Sequence, residues 1–557
     1  MTKSSFGNYL SWFTGIASGF TVLFYVYYVA VYSVDFPFQD DNSLLQVIFE
    51  LKKGLGWKHN LHTFFRTEND HRIFVPRLIG YLDYILTGHL NFKSYILLAA
   101  INLIAVCGFV FGLFRRLKLP FYYFLPIPFL IFQPQYHEVS IWALTGLQHI
   151  TLLILLCGCL ILLKKPSWGR VSIAVVLALL ATFTHGNGIV VFATGGFLLL
   201  VEKHYKVLIP WIVSAIVAFG LYIADYTPGS GVESSINWPN LPASFVARIG
   251  ANISVWQSDS AAASIIWGAL ICVLIIPSLF IFIYQSFNVR KNNSTFKNEL
   301  FSFFCFILLT TFLITIFRAS STIVLENRFK IYAAFSSVFF YMFLINGFSA
   351  LRKSLLIFFS GFALLFYISS YFGYTPEVAN KNSRLVADTY NWRKHQTELC
   401  NTSSIESSLY FLQPAWQQGY WQVPDQFAGF DELVQATVQQ RNFKPYTFRT
   451  QYFLNAGTNS PQLSIEIADF PLRRQSLRDN LFVVLHDETN QKTYLAGTLP
   501  KIAGRRQLLT QGTYFGPGFS TVIPLQAVRK GEYRLGCLLK KGSDHLELIL
   551  SRQVINL

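Results

Sequence analysis

Ser94–Phe114 reads SYILLAAINLIAVCGFVFGLF, and Arg115-Arg-Leu-Lys118 follows at once. The run is uncharged and long enough to cross a bilayer, which takes about 20 apolar residues. The basic cluster at its end marks a cytoplasmic side, because Lys and Arg accumulate there. Outward from it, similar runs lie at 10–34, 119–133, 149–163, 171–184, 187–201, 207–225, 261–285, 299–317, 329–350 and 354–373. About 11 transmembrane helices are therefore expected. The runs at 119–133, 149–163 and 171–184 are short for a full crossing, which calls for tilt, extension or partial re-entry. The first run has little basic charge before it and no small-residue cleavage site, so it reads as an anchor.

Composition agrees. Hydrophobic residues make up 52% and charged residues 13%. Soluble domains carry about 25% charge, so an ordinary cytosolic enzyme is excluded, and so is a disordered chain. The 17% of aromatic residues suits interfacial belts. The net charge of +16 first means basic cytoplasmic loops. Nucleic acid is not an expected partner, and there is no Gly-rich nucleotide loop.

The basic residues recur in alternate loops: Arg115, Arg116 and Lys118; Lys164, Lys165 and Arg170; Lys203 and Lys206; Arg290, Lys291 and Lys297; Arg352 and Lys353. All share one side if the N-terminus is cytoplasmic. The opposite side then receives 35–93, 134–148, 226–260 and everything after about 374. After 375 the apolar runs shorten and alternate, as in Gln462–Ala468 (QLSIEIA) and Asn480–Leu485 (NLFVVL). Such strands between turn residues suggest a β-sandwich or jelly roll. The expected architecture is an α-helical polytopic membrane domain, 1–374, plus a C-terminal soluble β-sandwich-like domain, 375–557. A helical connector at 380–400 joins them. Cys400 and Cys537 are the two cysteines of the exported part, open to a disulfide or to two buried thiols.

Polar groups at a membrane face are costly and need a reason. Asp35-Phe-Pro-Phe-Gln-Asp-Asp41 follows the first span directly. Asp40 and Asp41 read either as a general base and its neighbour or as caps of a helix starting near Asn42. Asn69-Asp-His-Arg72 and Pro76-Arg77 flank an amphipathic segment, 73–86, suited to the interface. His71 and Arg72 there read as phosphate ligands or as headgroup contacts. The 134–149 turn carries Tyr136, His137, Glu138, Trp142, Gln148 and His149. An aromatic face beside amides and carboxylates suits a sugar, and an interfacial Trp belt suits it too. His185-Gly-Asn-Gly188 interrupts an apolar stretch, as a close-approach site or a plain turn. Arg318 and Arg328 bracket a turn on the exported side, against the charge bias. They read as ligands of an anion, as snorkelling anchors, or as a salt bridge through Glu326.

Taken together, Pro37-Phe-Gln-Asp-Asp41, Asn69-Asp-His-Arg72 with Pro76-Arg77, Glu138 with Trp142-Ala-Leu-Thr-Gly-Leu-Gln148, Thr184-His-Gly-Asn-Gly-Ile189, and Glu326-Asn-Arg-Phe-Lys-Ile-Tyr332 resemble the GT-C superfamily of polytopic glycosyltransferases. The resemblance is to the bacterial inner-membrane branch that modifies O-antigen (a lipopolysaccharide glycan) or similar glycans. It covers about residues 10–373. The usual small-residue-Arg-Tyr motif is here Asn327-Arg-Phe329, which lacks the tyrosine hydroxyl. The resemblance implies a polyprenyl-phosphate sugar donor, commonly undecaprenyl phosphate, and a hydroxyl acceptor on a periplasmic, often lipid-linked, glycan. Attack would invert the anomeric carbon. Asp40 would be the base and Asp41 the second choice. Arg328, Arg318, Arg72 and His71 would neutralise the phosphate. Glu138, Trp142, Gln148 and His185 would bind sugar or acceptor. No cofactor is firmly implied, and no third carboxylate in the first loop demands a divalent metal.

Two rivals stand beside this reading. A membrane O-acyltransferase would need an essential histidine, for which His71, His137 and His185 are available; a glycan ligase belongs to the same group. A lipid-linked sugar flippase would carry its ionisable residues at the bilayer midplane, whereas here they gather at one face. Tyr410, Trp416, Tyr420 and Trp421 give the exported domain an expected carbohydrate surface or a structural cap.

Overall fold

The computed structural model describes residues 3–69, 71–226, 237–256, 261–288, 294–318, 322–400, 405–455, 459–542 and 545–557. Asp70, Arg290, Lys291 and parts of the 226–260 loop lie outside the described residues. Among the described residues, eight helices are long and apolar enough to cross a membrane. They are Gly7–Tyr32, Phe92–Arg115, Ala143–Leu163, Tyr205–Ile223, Ala262–Asn288, Thr295–Phe317, Asn327–Gly347 and Ser349–His395. Trp168–Thr182 and Gly186–Val201 are shorter apolar helices. The expected run at 119–133 is not one helix. Pro120, Pro126 and Pro128 interrupt it, leaving a 3-10 turn at Phe121–Phe124 and a short helix at Pro126–Ile131. Proline lacks the amide proton and its ring clashes with the preceding turn. Trp12, Leu23, Ile266, Phe280 and Ile357 lie exposed along the long helices. Whole apolar helix faces turned outward call for hydrocarbon around them.

The chain divides into two compact units. The first comprises Met1–Val29, Leu55–Ile79 and Tyr95–Gly373; the second comprises Ala30–Gly54, Gly80–Ser94 and Tyr374–Leu557. The change after Gly373 matches the change in composition. The assignment of 30–54 and 80–94 differs from the expectation that all of 1–374 forms one domain. Their partners explain it. Asn382 donates to the Tyr32 carbonyl at 2.9 Å, and the Leu90 amide donates to the Tyr420 carbonyl at 2.9 Å. Phe36 meets Trp421 edge to face at 5.3 Å, and Phe49 meets Tyr410 at 5.5 Å.

In the first unit, Arg116 pairs with the fully buried Glu299, and Lys164 stands 3.8 Å from the same carboxylate. Asn298 donates to Glu202 at 3.0 Å. Loops read as sharing one side are thus brought together. Helix Leu241–Ile249 crosses Ala262–Asn288 at bare backbone: a Cβ on Gly268 would lie 1.9 Å from the Val246 oxygen. The same unit holds a small hairpin, β1 (Thr67–Glu68) against β2 (His71–Arg72), with Asn69 at φ 49° in its turn. Asparagine accepts that left-handed conformation better than most residues.

Among the described residues the second unit holds nine strands: β3 (Phe443–Lys444), β4 (Arg449–Leu454), β5 (Pro461–Ile467), β6 (Asn480–Asp487), β7 (Lys492–Gly497), β8 (Leu499–Ile502), β9 (Phe515–Pro524), β10 (Glu532–Lys541) and β11 (His545–Asn556). They form two sheets, β3-β11-β10-β6-β7 and β4-β5-β9-β8. Leu463, Ile465 and Phe519 from one sheet and Val483, Leu485 and Leu535 from the other share a single core. Two sheets closing on one core is how period-two strands bury their apolar faces. Asp388 accepts the Leu399 and Cys400 amides at 2.8 Å each, fixing the chain as it leaves helix Arg352–His395. Cys400 and Cys537 are buried free thiols, so of the two expected outcomes the unbridged one holds.

Asp35 accepts the Phe92 amide at 2.7 Å within this unit, and burial pushes its carboxyl up to about 6. A carboxyl raised on folding contributes stability that is complete below the ordinary carboxylate range, near pH 4, and lost as pH rises through 6. The thermal midpoint of the full chain in detergent should therefore fall between pH 4 and pH 6. Asp35→Asn should flatten that slope; an unchanged slope would remove Asp35 as its source.

Candidate functional site

The first unit brings three histidines together. The His71 and His185 rings lie 4.3 Å apart, and His149 and His185 lie 4.5 Å apart. Each comes from a different stretch of chain: β2, the N-terminal part of helix Ala143–Leu163, and the turn before Gly186–Val201. His149 Nδ1 is 2.9 Å from the Tyr332 hydroxyl, which also accepts from Asn187 at 3.0 Å. Asn187 in turn contacts His185 Nδ1 at 2.5 Å. The glycines of His185-Gly-Asn-Gly188 make this closeness sterically feasible. A Cβ on Gly186 would lie 2.7 Å from His71 Nδ1, and one on Gly188 would lie 1.8 Å from the Ala181 oxygen. Among the described residues, no group of three or more His, Cys, Asp or Glu is arranged to hold a metal ion.

Arg328 approaches from the turn before helix Lys330–Gly347. Its amide donates to Glu138 Oε2 at 3.1 Å, and its guanidinium stacks on Phe329 with 5.3 Å to the ring centre. Among the described residues none accepts a hydrogen bond from that guanidinium, and its Nε is buried. A cation left so is ready for an anionic ligand. Glu138 and Arg328 thus meet through the backbone amide. Glu326 does not bridge Arg318 and Arg328; it pairs with the buried Arg248 at 2.6 Å. Arg318 ends helix Thr295–Phe317, half-buried, with no described contact to the trio. Trp142 and Gln148 are buried beside this region of the chain.

A cavity of about 960 Å³ in the same unit is lined in part by Arg72 and Phe183, chain neighbours of His71 and His185. Its lining includes the basic residues Lys58, His62, Arg66 and Arg72, with Asp225 the one carboxylate among the lining residues. Leu61, Phe65 and Phe74 interleave apolar surface with them, and Leu179, Leu180, Phe183 and Leu221 add more. Arg72 is buried, and its donors reach the carbonyls of Tyr222, Phe65 (2.5 Å) and Ala224. It therefore shapes the cavity as well as charging it. Arg77 is fully buried against Glu68 at 2.8 Å and the Arg66 carbonyl at 2.6 Å, and burial pushes its guanidinium down to about 10. That brace fixes the β1–β2 hairpin that carries His71.

Asp40 and Asp41 belong to the second unit. Asp41 is buried and its Oδ2 accepts the Phe38 amide at 3.0 Å, which closes the Gln39–Asp41 turn; its side chain makes no capping hydrogen bond to helix Asn42–Lys52. Among the described residues the Asp40 carboxylate has no hydrogen-bond or ion-pair partner, and it is half-buried. Gln39 before it is held at φ 48°. A non-glycine residue in that region stores strain of about 1 kcal/mol or more, a feature frequent at working sites.

Lys58 and Arg66 carry no sequence signal of a site, and Asn187 and Tyr332 enter the sequence reading only inside longer motifs. His149 belongs to the polar 134–149 set, one residue after Gln148 near the end of a span, without a role of its own. Compared with protein-family models, curated proteins and solved structures, the chain matches none of them.

Proposed function

We propose that the chain is a GT-C-like inverting glycosyltransferase. It moves a sugar from a polyprenyl-phosphate donor to a hydroxyl of a periplasmic glycan such as lipid-linked O-antigen. In this reading it sits in a bacterial inner membrane with its N-terminus cytoplasmic and its C-terminal domain periplasmic. The observation that carries the reading is the cavity of about 960 Å³ with both basic and apolar lining. A phosphate-headed lipid needs cations for its head and hydrocarbon for its first isoprene units, and the cavity lining includes Lys58 and Arg66 as well as Leu179 and Leu221. The unpaired guanidinium of Arg328 supports a second phosphate contact.

In the reaction, a carboxylate base, for which the family resemblance gives Asp40, removes the acceptor proton as the hydroxyl attacks the anomeric carbon. The carbon–oxygen bond to the lipid phosphate breaks, and the cations hold the departing phosphate monoester. The histidine trio and Tyr332 orient the sugar hydroxyls.

The test uses purified full-length protein, radiolabelled polyprenyl-phosphate hexoses and lipid-linked glycan. Transfer of label to the glycan is expected. Lys58→Ala and Arg66→Ala should each raise the donor KM about tenfold, the effect of one charged hydrogen bond. Acyl transfer without sugar transfer, or lipid translocation without either, would replace the proposal with one of its rivals.

A further inference from the structure

The second unit carries a separate cleft of about 420 Å³. One wall is the end of helix Arg352–His395, with Tyr390, Arg393 and Lys394; the other is the segment 424–432 leading into helix Phe430–Gln439. Trp416 closes one side.

Three observations set this cleft apart from ordinary surface. Its charges are joined in a mixed network: Arg393 pairs with Asp425 at 2.6 Å, Lys394 pairs with Asp431, and the Tyr390 hydroxyl donates to Asp431 at 2.6 Å. Exposed ion pairs add little to stability, so folding alone gives such a network little purpose. Second, Trp416 is half-buried, yet among the described residues its ring has no aromatic neighbour and its Nε1 no hydrogen-bond partner. Tyr420 and Trp421, from the same stretch, are buried in the unit and do not line this cleft. Third, Gly429 stands at φ 77° with nothing within 4 Å of where a Cβ would be, which keeps the rim open.

We propose that this cleft is a saccharide-binding subsite for a neutral glycan. A pyranose ring presents an apolar face, which suits the free face of Trp416. Its vicinal hydroxyls donate and accept in pairs, which suits carboxylate–guanidinium couples such as Asp425–Arg393. A strongly anionic or cationic ligand would meet a like charge from either half of the network. The volume falls in the range of about 300–1,000 Å³ of small-ligand clefts. That the bound saccharide is the acceptor glycan rests on the sugar-transfer reading; binding itself does not.

The test is binding of the full-length protein in detergent to an immobilised array of neutral, acidic and basic oligosaccharides. Neutral members are expected to retain it. Trp416→Ala should weaken that binding about tenfold, Trp416→Phe less, and Asp425→Asn severalfold. Asp425 is exposed, so its variant guards against a folding artefact. A silent array, preference for charged glycans, or binding unchanged in both Trp416→Ala and Asp425→Asn would overturn the proposal. The array reads binding and not turnover, so its failure is distinct from failure of the transferase assay.

Discussion

In the proposed transfer reaction, Asp40→Asn is expected to lower sugar transfer about a hundred- to ten-thousandfold, the range for removing a general base. Asparagine keeps the size and the backbone of the turn and removes only the basic oxygen. The loss should fall on kcat, with donor affinity retained, because the cavity cations are untouched. Asp41→Asn is the instructive comparison. Its Oδ2 receives the Phe38 amide, and asparagine can still accept there, so turnover should fall far less. A chain in which Asp40→Asn transfers at the normal rate would end the assignment of Asp40 as base. Asp41→Asn losing more than Asp40→Asn would exchange their roles.

Gly188→Ala is expected to be the most damaging small substitution in the first unit. The added methyl would lie 1.8 Å from the Ala181 oxygen, 2.4 Å from its carbonyl carbon and 2.8 Å from the Thr182 nitrogen. All three are backbone atoms of helix Trp168–Thr182, so no side chain can step aside. The cost should reach about 3 kcal/mol, the upper end for forced overpacking. The Gly188 turn also carries His185 and Asn187, so activity should fall with stability. Thermal unfolding in detergent checks this against Gly112→Ala, where nothing lies within 4 Å. Gly186→Ala separates the effects, since its methyl would press on the His71 side chain at 2.7 Å. It should disturb the trio with a smaller loss of stability.

The long helices were legible because length and hydropathy are local properties. The span expected at 94–114 appears as Phe92–Arg115, and that at 207–225 as Tyr205–Ile223. The failure at 119–133 was written in its three prolines, but apolar content outweighed them in the reading. Strands such as β6 and β10 were legible from alternation; β3, β4 and β8 were not, being short or largely exposed. The site was legible only in pieces. Glu138, Arg328, His71 and His185 stood out as polar groups in costly places. Their meeting did not, because His149 and Tyr332 lie 183 positions apart in sequence. The capture of 30–54 and 80–94 by the second unit was also hidden, since composition marks a loop without naming what it packs on.

The unbridged state of Cys400 and Cys537 has a practical corollary for biogenesis. A module that matures without forming a covalent crosslink needs no thiol oxidase. Dithiothreitol should then leave its melting behaviour alone.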